Sequence, residues 1–172
     1  PDTSFVGTNQ TTAADSLLLS PELYAMVDVQ GLIYFNQGDA IYSLDPSNNT
    51  VGWVLGSPDI SNPVQSQSAM PASTLNGIIQ NLQKFDNSSL AIALADGDDS
   101  NDTVSLYKVV VAGPSAGNFE LLGTFGGGVN SIAGKDSFNP ATARLDLYGL
   151  MVHQQVPYLL AAPYDSDNTS QN

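Results

Sequence analysis

Four carboxylates crowd into seven residues at Asp96-Gly97-Asp98-Asp99-Ser100-Asn101-Asp102. Asp96, Asp98 and Asp102 offer the hard oxygens that Ca²⁺ takes from a short loop. The spacing is not that of an EF-hand, because the glycine is misplaced and the closing glutamate is missing. The competing reading is a solvated turn, and a glycan on Asn101 would favour it. A second pattern, Gly113-Pro114-Ser115-Ala116-Gly117, fits the nucleophile elbow, with Asp136 or Asp146 and then His153 in hydrolase order. That chemistry needs a strand before the serine and a helix after it, to expose the hydroxyl and supply oxyanion N–H groups. Here Asn118 to Leu122 reads as a strand, so a plain hairpin loop is expected. His153, the single histidine, falls in a predicted strand beside Gln154 and Gln155, and a sheet residue is expected there. The Gly126-Gly127-Gly128 run lacks the Lys-Ser/Thr of a phosphate loop, and no Asp-Thr/Ser-Gly pair supports aspartic proteolysis. The chain is expected not to be an enzyme, with Ca²⁺ its one candidate cofactor.

Five Asn-x-Ser/Thr acceptor triplets begin at Asn9, Asn48, Asn87, Asn101 and Asn168. Chance placement of these residue types gives about two or three. Most fall in predicted turns or tails, where a bulky sugar fits. With no cysteine, a disulfide scaffold and thiolate metal sites are excluded. The formal charge of −13 reflects scarce cations, since Lys84, Lys108, Lys135 and Arg144 are the whole basic inventory. Four scattered cations cannot form the stripe that polyanions require, which excludes nucleic acid and anionic membrane as partners. No apolar run approaches a membrane span, and Pro1-Asp2-Thr3-Ser4 has no signal-peptide character. An extracellular or cell-surface location is inferred from the triplets and the low lysine content.

The elements that must position these residues are mostly strands. Leu23–Val29, Gly31–Phe35, Ala40–Leu44 and Thr50–Leu55 alternate with Gly/Pro/Asn/Asp punctuation and predict an antiparallel meander. Residues 57–72 read as loop. Leu75, Ile78, Ile79, Leu82 and Phe85 recur at helical spacing behind Ser73, predicting one short helix over 73–85. Strands follow at Leu90–Leu94, Thr103–Val111, Phe119–Phe125, Leu145–His153 and Val156–Ala161. Trp53, Tyr34, Tyr42, Tyr107, Tyr148 and Tyr158 sit in strands at spacings expected of the core. Residues 1–20 form a polar arm and 164–172 a polar tail around a β domain at 21–163.

That domain carries an internal echo. Leu23–Val27 with Gln30, Leu32 and Tyr34 matches Leu147–Met151 with Gln154, Val156 and Tyr158, at an offset of 124. Ile41–Leu44 pairs with Val104–Tyr107, and Val54–Gly56 with Leu121–Gly123, suggesting repeats at 21–84, 85–146 and a partial one at 147–163. Within the first, Ile41-Tyr42-Ser43-Leu44-Asp45 followed by Trp53 resembles a blade of the quinoprotein-like and kelch-like β-propellers over residues 32–53. Asn48-Asn49 stands where that family's turn glycine belongs. The resemblance implies a partial propeller, since a closed ring needs at least four blades; a two-sheet sandwich is the alternative.

An unfinished unit leaves sheet-edge hydrogen-bonding groups open. The sequence therefore predicts a structural or adhesive surface module whose edge is completed by a neighbouring chain, the Thr3–Thr12 segment being one candidate strand, or by the remainder of a larger protein. A lectin-like propeller module with a glycan partner is the second expectation, and a serine hydrolase the third.

Overall fold

The computed structural model describes residues 11–13, 25–37, 39–56, 77–95, 103–126 and 145–163. Among these residues every regular element is a strand, and every pairing is antiparallel. The mainly β expectation holds. A short strand, β1 (Thr11–Ala13), precedes a meander of β2 (Met26–Val29), β3 (Leu32–Gln37), β4 (Ala40–Asp45) and β5 (Thr50–Gly56). A second meander follows: β6 (Ile78–Lys84), β7 (Ser89–Ala95), β8 (Thr103–Val110) and β9 (Phe119–Gly126). A hairpin of β10 (Leu145–His153) and β11 (Val156–Pro163) comes last.

The helix expected over 73–85 is corrected within the described residues, because 78–84 form β6. The reason is a bulge. Ile79 pairs with Leu94 and Asn81 with Ala93, so Gln80 is an extra residue without a cross-strand partner. One inserted residue shifts the alternation, which puts Ile79 and Leu82 on the same face three positions apart. That spacing imitates a helix. Residues 73–76 lie outside the described set. β6 is bonded into the second sheet, β6-β7-β8-β9, while β1 to β5 form the first and β10 with β11 the third.

The strands form three layers instead of two. β7 is buried at every position, as a strand covered on both faces must be. Leu90, Ile92 and Leu94, with Ile79, Leu82 and Val109, pack against Val29, Tyr34, Ile41 and Leu55 of the first sheet. Ala91, Ala93 and Ala95 point the other way and, with Val104, Leu106 and Phe125, pack against Leu150 of the hairpin. Small alanines facing large leucine and valine side chains let that layer come close. Each fully buried Leu or Ile stabilises by about 1.5–3 kcal/mol, so this middle sheet is the energetic centre of the chain.

The first strands of the three units touch in turn, β2 on β6 and β6 on β10. β1 pairs with β5 of its own chain, Thr12 opposite Val51. Thr11 and Thr12 therefore cover an edge in cis, where the sequence suggested a strand donated to a neighbour.

Candidate functional site

Asp96, Asp98 and Asp102, together with Asn9, Asn101 and Asn168, lie outside the described residues, as does Asp136. Among the described residues no group of three His, Cys, Asp or Glu could hold a metal ion. Ser115 sits exposed in the loop between β8 and β9, where Gly117 N–H donates to Val110 O (2.8 Å) and Ala116 N–H to Gly113 O (3.1 Å). Strand β9 follows it, so the helix an elbow requires is not there. His153 is exposed at the end of β10.

Asn48 and Asn87 are both exposed in hairpin turns. In the β4–β5 turn, Asp45 Oδ1 accepts from Ser47 N–H (2.9 Å) and Ser47 Oγ (2.6 Å), and its Oδ2 accepts from Asn48 Nδ2 (2.9 Å). The hydrogen bonds from Ser47 hold the Asp45 carboxyl below its usual range. Asn49 takes the left-handed backbone (φ 54°) that the turn needs in place of glycine. In the β6–β7 turn, Asp86 Oδ1 accepts from Ser88 N–H (2.8 Å) and Ser88 Oγ (3.0 Å), while Lys108 Nζ lies 3.1 Å from its Oδ2. Burial raises the Asp86 pKa, but these partners outweigh it and bring the group down to about 2. The Lys108 ammonium also sits 4.8 Å above the Phe85 ring, a cation–π contact that fixes the same corner.

The aromatic set divides. Tyr34 and Tyr42 are buried, burial pushing the Tyr34 hydroxyl up and that of Tyr42 up to about 12. Tyr42 stacks on Phe35 at 5.7 Å, and Tyr107 meets Phe119 edge-on at 5.8 Å. Trp53 is half-buried against that Phe35 cluster, its indole N–H donating to Leu55 O at 2.9 Å, so it serves the fold. Tyr148 and Tyr158, expected in the core, are instead exposed.

They are not alone. Tyr148 and Leu160 are each 68% exposed, and Met151, Val156, Tyr158 and Leu159 are exposed with them. Among the described residues, six of the nine large exposed apolar side chains thus belong to one hairpin, too concentrated for the scattered singles any surface shows. Cross-strand partners share a face, so the register Met151↔Tyr158, His153↔Val156 and Gly149↔Leu160 places Met151, Val156, Tyr158 and Leu160 together. Leu147, Leu150 and Val152 occupy the opposite face, against the middle sheet. A bulge between Leu147 and Gly149 leaves Tyr148 without a cross-strand partner. Among the described residues β10 and β11 pair only with each other, which leaves both as sheet edges.

The turns of β6–β7 and β10–β11 border an open cleft lined by Gln83, Lys84, Phe85, Asn87, Gln154 and Gln155, among others. No family model, curated protein or solved structure matches the chain.

Proposed function

We propose that this chain is an assembly or adhesion module of an extracellular or cell-surface glycoprotein, and that it joins further β-structure at the β10–β11 hairpin. The observation that carries this reading is the apolar face of that hairpin, open to solvent beside a strand edge that no described strand pairs. Exposed contiguous apolar side chains in a chain of charge −13 favour contact with another macromolecule over catalysis. Asn48 and Asn87 support the glycoprotein part, because each is exposed in a hairpin turn.

Sedimentation velocity over a range of concentrations tests the assembly part. The full chain is expected to form heavier species, and the double variant Met151→Lys, Leu160→Lys to remain monomeric. A wild-type chain that stays monomeric throughout overturns it. Peptide mass mapping of native material tests the glycoprotein part, with sugar-sized increments on peptides holding Asn48 and Asn87 expected.

A second reading, a propeller-type ligand-binding module, is favoured by the successive contacts of β2, β6 and β10 and by the amide-lined cleft at the turns. Its ligand would be a glycan, held by side-chain amides and the Phe85 ring. Glycan-array binding lost on Gln154→Ala, with sedimentation unchanged, would select it over assembly.

A further inference from the structure

The hairpins β2–β3 and β10–β11 are the same object used twice. Shifting by 124 positions carries the register Met26↔Phe35, Val27↔Tyr34 and Val29↔Leu32 onto Leu150↔Leu159, Met151↔Tyr158 and His153↔Val156. The turns coincide as well. Gln30 and Gly31 have φ of 55° and 84°, and Gln154 and Gln155 have 50° and 61°, the left-handed pair of a two-residue hairpin turn.

Their faces have opposite fates. Val29, Tyr34 and Asn36 are buried, and Val27 and Leu32 pack beside them, all beneath or beside the aliphatic face of β6–β9. Asn36 is held there by accepting Ala25 N–H at 2.9 Å. The residues 124 positions on are His153, Tyr158, Leu160, Met151 and Val156, and all of these are exposed. The uncovered face is thus the counterpart of a face this chain already covers with a sheet. Its polarity is similar, with leucine in place of Asn36 and His153 in place of Val29.

We infer that the outer face of β10–β11 seats a further four-stranded antiparallel meander, which stacks on it through a face of Ile, Leu and Val side chains. This rests on the assembly reading and names the partner's chemistry. The template is internal: Ile79, Leu82, Leu90, Ile92 and Leu94 pack on Val29 and Tyr34 of β2–β3, with Ile41 of β4 and Leu55 of β5 beside them. The seat continues an interface repeated twice, β2 against β6 and β6 against β10. The β11 edge alone is a poorer seat. Pro157 and Pro163 have no N–H to donate, which leaves only Tyr158 to Ala162 between them for strand addition. Stacking needs no such donors.

The test is a tandem chain: the full chain followed by a second copy of its residues 57–163. That copy brings a second β6–β9 sheet whose alanine face is covered by its own hairpin. Its aliphatic face is expected to settle on the first copy's β10–β11, slowing hydrogen exchange of Met151, Tyr158 and Leu160 in that copy by roughly tenfold to a hundredfold. Met151→Lys with Leu160→Lys in the first copy, both at exposed positions, is expected to remove the protection while the single chain carrying them keeps its urea midpoint. An added sheet that fails to fold, or folds while those amides exchange as in the single chain, overturns the inference. So does a tandem chain that still pairs with a second molecule through this face, which would make the occupant another copy's hairpin. The single chain's sedimentation reports separately on assembly, so loss of the meander partner and loss of the assembly reading are distinguishable.

Discussion

Hairpins β2–β3 and β10–β11 share turn geometry and register, yet each presents a different face to the middle sheet. The first buries Tyr34, 2% exposed, and leaves Met26 58% exposed. The second buries Leu150, 5% exposed, and leaves Tyr158, the counterpart of Tyr34, half exposed. Two such hairpins on either side of one sheet must do this if they are stacked in the same sense. The lesson is that a residue's role here is decided by which layer lies next to it, not by its place in its own strand.

The two tyrosines should differ most. Tyr34→Ala should cost about 3–5 kcal/mol by urea denaturation, as large aromatic truncations in cores do. Tyr158→Ala should stay within about 0.5 kcal/mol in the monomer, as surface changes do. Equal losses would show that the outer face of β10–β11 is already covered. The reciprocal pair comes next. Leu150→Ala should cost about 2–4 kcal/mol and Met26→Ala well under 1 kcal/mol in the same assay.

The turns sharpen the comparison on a smaller scale. A Cβ at Gly31 meets nothing within 4 Å, so Gly31→Gln should lose only the backbone preference, about 1 kcal/mol. Gln155→Gly should recover a similar or smaller amount, read as an upward shift of the thermal midpoint. The corresponding turn of the middle sheet is built differently, around Asp86 rather than on left-handed backbone. Its carboxyl is held at about 2 in the folded chain against 3.8 as a free group. Stabilisation by that ionised group is therefore complete above about pH 5 and is lost as pH falls through 4 toward 2. Urea midpoints measured across that range should fall less steeply in Asp86→Asn than in the parent. This is the smallest effect, because the Lys108 partner is partly exposed and such pairs contribute about 0–1 kcal/mol.

Much of the strand inventory was legible in the sequence, because turn residues speak locally. Asp45-Pro46-Ser47-Asn48-Asn49 and Gly113 to Gly117 bracket their strands to within a residue or two, since the side-chain bonds and left-handed positions they need are available to few residue types. β6 was not legible. Its bulge at Gln80 gives Ile79 and Leu82 a helical spacing, and bulges follow from pairing with β7, which a local pattern does not contain. The candidate site was half legible. The echo between Tyr34 and Tyr158 could be read, but its contrast in burial could not, because both tyrosines alternate in the same way.

By itself, then, the amino-acid order determined that this is an antiparallel β protein without disulfides, poor in cations, with Asn-x-Ser/Thr triplets at the Asn48 and Asn87 turns. Propensity, alternation and turn chemistry act over a few residues and so are written along the chain. Only the tertiary structure decided that β6–β9 lies between two like hairpins, and hence which apolar face stays in water. That choice is made by the burial of one layer against another, an interaction among residues as far apart as Tyr34, Ile92 and Leu150.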